Sequence, residues 1–326
     1  MCYNRKKFIS EAILSAINQD FPRDQYEIIV TKNYSDDAID TLMETHGIIG
    51  IHEGNVDIGN MIVNACSKAR GEFICFLDDD DRFHKDKLRR IFDTVSEHSD
   101  IVYYHNSFRM IDTEGLILAD YEHLHPSEPQ LYNSLDSWKK ISMLKRKSCD
   151  INMSSITIKK DFILERREYI DKINGLQDVF LFYLSAMSNR TIFLDSDFLT
   201  DYRVHTSESH GDTSEIYRYA TGIENILLKY LKSYEILCSI KSSISNILRY
   251  EYVTNKCRLK LISAERIDKI TLSELTYLFV NLQFSQNLKR ELFLIILGFL
   301  HKIFPKTISH IYLVKKIGLE QSKYSP

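Results

Sequence analysis

Proline is scarce in this chain: five residues in 326, with none between Pro129 and Pro305. No repeat or low-complexity tract accompanies that scarcity, and 44% hydrophobic with 27% charged residues describes a packed, soluble-type chain large enough for one or two domains. Cysteine is sparse as well. Cys2, Cys66, Cys75, Cys149, Cys238 and Cys257 lie far apart with no C-x-x-C pair, which fits neither a zinc site nor a disulfide framework and suits a reducing cytoplasm. Neither sign of charge prevails, since 42 Lys+Arg stand against 45 Asp+Glu. A net charge of -3 supplies no global field for nucleic acid. Long hydrophobic runs are missing too. Leu292 to Leu300 is about half of the ~20 residues that span a bilayer. Ser10 and Glu11 interrupt the apolar residues behind Arg5, Lys6 and Lys7, so no signal-peptide core forms and no export is expected.

What the chain does have is GEFICFLDDDDRFH, an apolar run from Phe73 to Leu77 that stops at Asp78, Asp79, Asp80 and Asp81. Setting carboxylates side by side costs roughly 1 to 3 kcal/mol per neighbouring pair. Around this run the pattern alternates. Helical spacing predicts a helix over Lys7 to Gln19, stopped by Pro22, then a strand at Tyr26 to Val30 and a loop at NYSDD. IDTLMETHG reads as a short helix closed by Gly47, Asn60 to Ala69 as another, and Phe73 to Leu77 as a buried strand. Lys85 to Glu97 follows as helix and Asp100 to Asn106 as strand. Such alternation implies an α/β fold with a mostly parallel sheet covered by helices on both faces. Ligands of such sheets bind beyond the carboxyl ends of the strands, where NYSDD and the Asp run both fall.

After Trp138 the order is mixed, with strands expected at Ser155 to Ile158, Thr191 to Leu194 and Phe198 to Val204, and a helix at Asp178 to Met187. From Glu215 onward the residues recur at helical spacing, so the chain divides into 1–212 and a helical region, 213–326. The Asp run itself has three readings. It is a solvated loop before a helix N-terminus, a site for Mg²⁺ or Mn²⁺ whose charge relieves the repulsion, or part of a carboxylate pair for glycoside hydrolysis.

The order of motifs resembles glycosyltransferase family 2 with the GT-A fold. YNR at Tyr3 to Arg5, SAINQDFP at Ser15 to Pro22, EIIV before NYSDD, Gly59, GEFICFLDDDD at Gly71 to Asp81, QD at Gln177-Asp178 and DYRVH at Asp201 to His205 keep the family's order over about the first 210 residues. The resemblance implies an inverting, metal-dependent transfer of sugar from a nucleotide-diphosphate donor to a hydroxyl of a glycan or lipid-linked glycan. It gives Asp80, in the DXD motif, and His205 as ligands of Mn²⁺ or Mg²⁺. Asp178 stands at the catalytic base, and Tyr3, Arg5, Asn33, Asp78, Asp79 and Arg203 at the nucleotide-sugar site. Each has a plainer alternative: Asp178 as a helix cap, His205 as a surface or hydrogen-bonded histidine, Arg203 as an ion-pair partner.

The chain also departs from the family. KNYSDD puts Lys32 and Asn33 where acids are usual and keeps Asp37; Ile62-Val63 replaces a frequent Arg-Asn; Gln177 replaces Glu. The family's apolar strand before the Tyr-Asn-Arg turn is represented by Met1 and Cys2 alone, so a late-assigned start or a truncated chain is expected. These departures keep a second function open, a non-catalytic sugar-nucleotide binder. A nucleotidylyltransferase is disfavoured, for no G-x-G-T-R-like loop follows the first turn. Near the end, NLKRELFLIILGFLHKIF is apolar around most of a helix and is flanked by Lys289, Arg290, Lys302, Lys306, Lys315 and Lys316. Either it is buried in the C-terminal core, or 288–316 makes a peripheral contact with the inner face of the cell membrane.

Overall fold

The computed structural model of the chain describes residues 7–54, 57–118, 124–133, 138–205, 216–262 and 270–323. Two compact units result, Met1–His205 and Thr206–Pro326. The boundary expected at 212 falls in 206–215, outside the described residues, as do Tyr3, Arg5 and the stretch ahead of them.

The first unit begins with α1 (Ile9–Ile17), β1 (Ile29–Lys32), α2 (Asp37–Thr45), β2 (Ile49–His52) and α3 (Ile58–Lys68). Ile9, Ala12 and Ile13 share one side of α1 at helical spacing, and Ile9 and Ile13 pack with Val30, Ile39, Met43 and Ile48. Asp36 caps α2 by accepting from the Ile39 N–H at 3.3 Å. β1 and β2 pair in parallel as a sheet of their own. β2 was not anticipated: its burial pattern leaves one of IGIH buried, so no apolar run marks it.

Then come β3 (Phe73–Cys75), β4 (Arg82–Phe83), α4 (Lys87–Glu97), β5 (Ile101–Ile111), β6 (Gln130–Tyr132) and α5 (Trp138–Lys145). The unit closes with β7 (Ile156–Lys159), α6 (Lys160–Glu165), α7 (Arg167–Ile170), α8 (Gln177–Ala186) and β8 (Thr191–Arg203). A six-stranded sheet runs β3-β7-β5-β8-β4, with β6 also on β8. The long β5–β8 ladder is parallel, while β3–β7, β7–β5, β4–β8 and β6–β8 are antiparallel. Counting β1–β2, parallel ladders hold more of the paired residues than antiparallel ones. Two antiparallel steps separate β3 from β5, so β3, β5 and β8 all point the same way. Their carboxyl ends lie on one edge.

The two strands expected at 191–194 and 198–204 are one, β8. Its register with β5 jumps from Asn106↔Asp195 to Ser107↔Phe198, a bulge that takes up Ser196 and Asp197. Asp195 anchors the bulge from inside: its carboxylate accepts from Tyr104 at 2.6 Å and from Arg90 Nε at 2.7 Å.

Gly59 on α3 is fixed by close approach. A Cβ there would stand 1.8 Å from the Ile170 carbonyl oxygen of α7, whose neighbour Ile173 accepts the Gly59 N–H at 3.1 Å. Gly59→Ala must therefore push two helices apart. We expect it to lower stability by about 3 kcal/mol, measured as the urea midpoint at unchanged m-value.

The second unit comprises α9 (Ile216–Ser239), α10 (Ser245–Ile262), α11 (Leu272–Val280), α12 (Leu288–His301) and α13 (Pro305–Lys323). Its core joins Tyr250, Val253 and Cys257 of α10 to Leu275 of α11, Leu294 of α12 and Tyr312 of α13. A capping box at Thr271 and Glu274 opens α11, and the Asn287 side chain caps α12. The segment 288–304 is buried on one side and exposed on the other. Leu294, Ile295, Leu297 and Gly298 are buried, whereas Leu288, Ile296, Phe299 and Leu300 are exposed. Among the described residues no helix is long and apolar enough to cross a membrane.

Candidate active site

Four segments meet where β3 and β8 end. The acid run 78–81 connects β3 to β4, and His205 lies just beyond β8. His205 Nε2 and Asp80 Oδ2 are 2.9 Å apart, with each side chain 15% exposed. A carboxylate oxygen and an imidazole nitrogen at that separation are a donor pair suited to Mn²⁺ or Mg²⁺. Among the described residues no cluster of three or more His, Cys, Asp or Glu forms a complete cage.

The other acids are divided by burial. Asp79 and Asp81 are buried, while Asp78 and Asp80 are partly open. Asp81 Oδ1 accepts the Arg203 N–H at 2.8 Å. Burial, and then the charges of Asp80 and Asp78, push its carboxyl well above the usual range. Beneath the run lies Lys87, fully buried, whose Nζ donates to Asn106 Oδ1 at 2.8 Å, to the Ser154 carbonyl at 2.6 Å and to Thr200 Oγ1 at 3.0 Å. Burial draws its pKa down to about 7. One side chain thus ties α4 to β5, to the turn before β7 and to β8.

That turn joins the acid run to the expected base. Ser154 Oγ accepts the Asp78 N–H at 2.9 Å, and the Asn152 N–H donates to Asp178 Oδ2 at 3.2 Å. Asn152 takes the left-handed conformation, φ 69°, and its side chain caps the turn by accepting from Ser154 N. Asp178 sits in the first turn of α8, while the N-cap position itself belongs to Leu176. Its second oxygen accepts from Val179 N at 2.9 Å. Burial raises its carboxyl to about 6, with a further push from Asp150 that the backbone N–H donors oppose. A base poised there is ionised near neutral pH and still able to take a proton.

Arg203 faces inward. Expected at the nucleotide-sugar site, its side chain is 1% exposed and engaged inward. Nε donates to the Asp80 carbonyl at 2.8 Å, Nη1 to the carbonyls of Asp112 and Thr113, and Nη2 to Glu11 Oε2 at 2.7 Å. The guanidinium also lies 4.2 Å from the Phe8 ring centroid. The ion-pair alternative describes it, and it holds the acid run in shape. Asn33 stands just after β1, outside the six-stranded sheet, and its neighbour Lys32 is buried and paired with Asp40 of α2. The usual acid is thus replaced by a cation that is neutralised within its own helix-loop unit.

Glu11, Lys87, Asn152 and Ser154 escaped the sequence reading, because each acts on a partner far along the chain. A cavity of about 530 Å³ lined by Ser99, Asp100, Lys159, Glu165 and Arg190 lies at the amino ends of β5 and β8. That is the opposite end from the acids, and its mixed charges converge on no reacting group.

The chain is similar to known glycosyltransferases. TarS of Staphylococcus aureus, a poly(ribitol-phosphate) beta-N-acetylglucosaminyltransferase, is 29% identical over 111 residues, 31% of this chain and 19% of its own length. EpsH of Bacillus subtilis, provisionally named a glycosyltransferase, is 27% identical over 133 residues, 39% of this chain and 38% of its own. The chain therefore spans well under half the length of these relatives. Among solved structures, TarS 1–349 with UDP-GlcNAc superposes with a TM-score of 0.52 at 16% identity, over 99% of this chain and 89% of that one. The mannosyltransferase PcManGT of Pyrobaculum calidifontis, with GDP-Man and Mn²⁺, gives 0.55 at 14%, over 99% and 86%. At such identities the likeness is one of fold, the GT-A type. Family membership rests on sequence: the model of glycosyl transferase family 2 matches residues 1–167, more than half of the 326, from the start through the acid run and past Ser154, and the chain belongs to that family.

Proposed function

We propose that this chain is a metal-dependent inverting glycosyltransferase, its catalytic domain 1–212, that moves a sugar from a nucleotide-diphosphate donor to a hydroxyl of a surface-glycan or lipid-linked acceptor. The observation that carries the reading is the pairing of Asp80 with His205 on the same strand edge as an Asp178 carboxyl raised to about 6. Asp178 takes the proton of the acceptor hydroxyl. The freed oxygen attacks the anomeric carbon as the bond to the diphosphate oxygen breaks, and that single displacement inverts the carbon. Asp80 and His205 would hold an Mn²⁺ or Mg²⁺ ion, which when bound would supply neutralising charge for the departing nucleoside diphosphate. Asp78 serves the donor's ribose, with Asp79, Asn33, Tyr3 and Arg5 assigned to the nucleotide-sugar site. Arg203 and Lys87 act through the acid run they support. TarS and PcManGT, which bind UDP-GlcNAc and GDP-Man, make uridine and guanosine donors the first to try. A lipid-linked acceptor would place the work at the inner face of the cell membrane.

The second reading, a sugar-nucleotide binder without turnover, is favoured by Lys32, whose pairing with Asp40 removes an acid from the usual donor loop. A panel of UDP-, GDP- and dTDP-sugars with Mn²⁺ or Mg²⁺, followed by release of nucleoside diphosphate, separates the two. We expect one donor to be hydrolysed slowly, and EDTA to stop it. Binding by calorimetry with no release from any donor would favour the binder.

A further inference from the structure

On α12, Leu288, Ile296, Phe299 and Leu300 recur at i, i+8, i+11 and i+12, which keeps them along one side of the helix. Ile303 and Phe304 continue the strip beyond its end. All six are exposed, Ile303 by 67% and Ile296 by 55%. The opposite side of α12 is satisfied by the core, so the strip is not spare packing surface of this unit. Contiguous apolar exposure of this extent marks a contact site.

Charge tells what the contact is with. Lys289, Arg290, Lys302, Lys306 and Lys315 are exposed around the strip. The one carboxylate in 288–317, Glu291, is buried and bonded to Arg258 of α10 at 2.8 Å. The surface is therefore apolar at its centre and wholly cationic at its rim. A second copy related by a two-fold axis would set cation against cation. An anionic lipid surface complements both features, since acyl chains take the apolar strip and head groups meet the lysines and arginine.

We propose that the α12–α13 face is a docking surface for anionic membranes. This stands independently of the transfer chemistry. Each exposed cation near such a surface is worth about a fivefold gain in partition, and each large apolar side chain roughly tenfold or more.

The test is flotation of the full chain at low ionic strength with phosphatidylcholine vesicles, prepared with and without phosphatidylglycerol. We expect the chain to rise with the anionic vesicles and to stay behind with phosphatidylcholine alone. F299S/I303S and K302E/K306E should each cut the bound fraction roughly tenfold or more, with melting temperatures near the parent's because these side chains lie outside the core. Failure to rise with either vesicle overturns the proposal. So does binding unchanged in both variants, or light scattering that shows a multimer which F299S/I303S dissociates while no vesicle is bound.

Discussion

Asp80→Ala is expected to abolish metal-dependent nucleotide binding while leaving the fold as stable as before, or firmer. In the proposed site Asp80 is one of two side-chain donors to the ion, its Oδ2 lying 2.9 Å from His205 Nε2. With two donors, losing one leaves a lone imidazole that cannot hold a hard cation against water. The loss in affinity for UDP or GDP with Mn²⁺ should exceed about a hundredfold, beyond the range seen for partners that merely orient a ligand. Stability should move the other way, because the charge on Asp80 is one of the causes holding Asp81's buried carboxyl above its ordinary range. Removing that charge relieves a repulsion that the apo protein carries for the sake of function. Calorimetry with UDP or GDP and Mn²⁺, beside a thermal melt of the apo protein, reads both halves. Parental affinity in the variant would dismiss the metal assignment. A melting temperature far below the parent's would make the lost binding a folding effect.

The same contrast between local and distant causes explains how much of the molecule could be read beforehand. Helices α1, α2, α3, α4 and α8 and strands β3, β5 and β7 were legible because each keeps an apolar period with a stop signal beside it. β6 and β2 are short and carry exposed residues in a sheet edge, so nothing in their own letters distinguishes them from loop. β8 was split at Asp195 because a buried carboxylate inside a strand reads as a turn until Arg90 and Tyr104 are known to meet it. Asp80, Asp178 and His205 are singled out by their order in the chain, through the family resemblance, and two of them, Asp80 and His205, stand 2.9 Å apart. Their support is not singled out in that way. Lys87 looks like any lysine at a helix start, yet it is wholly buried on three acceptors. Arg203 looked free to reach phosphate, yet its donors close a tertiary circuit with Glu11, Asp80, Asp112 and Thr113. α12 was ambiguous because an all-round apolar pattern does not say which side faces the core.

Asp178→Asn should keep donor binding and lose transfer. The amide keeps one oxygen, which can accept from the Val179 N–H or the Asn152 N–H but not from both, since the carboxylate takes them on separate oxygens; the turn that carries Ser154 and, through it, Asp78 keeps one of these two ties. What it cannot do is take the acceptor's proton, and general-base catalysis is commonly worth about 10² to 10⁴ in rate. The expected result is a kcat lower by about that factor with the donor Kd nearly unchanged. In the parent, kcat should rise with pH through a midpoint close to 6, the value to which burial raises this carboxyl. That limb should vanish in the variant. Stability supplies an independent check. A carboxyl whose folded pKa is raised to about 6 from 3.8 binds its proton more tightly in the native state, so its contribution is present at low pH and is lost as pH rises through 6. At pH 8 the parent bears the cost of a half-buried carboxylate that the amide does not. Asp178→Asn should therefore be more stable than the parent at pH 8, by up to about 2 kcal/mol once the forfeited N–H bond is subtracted, and no more stable than it at pH 4. Transfer at near-parental rate with an unchanged pH limb would move the base to another residue; a variant less stable at pH 8 would mean that the carboxylate holds the turn rather than waiting for a proton.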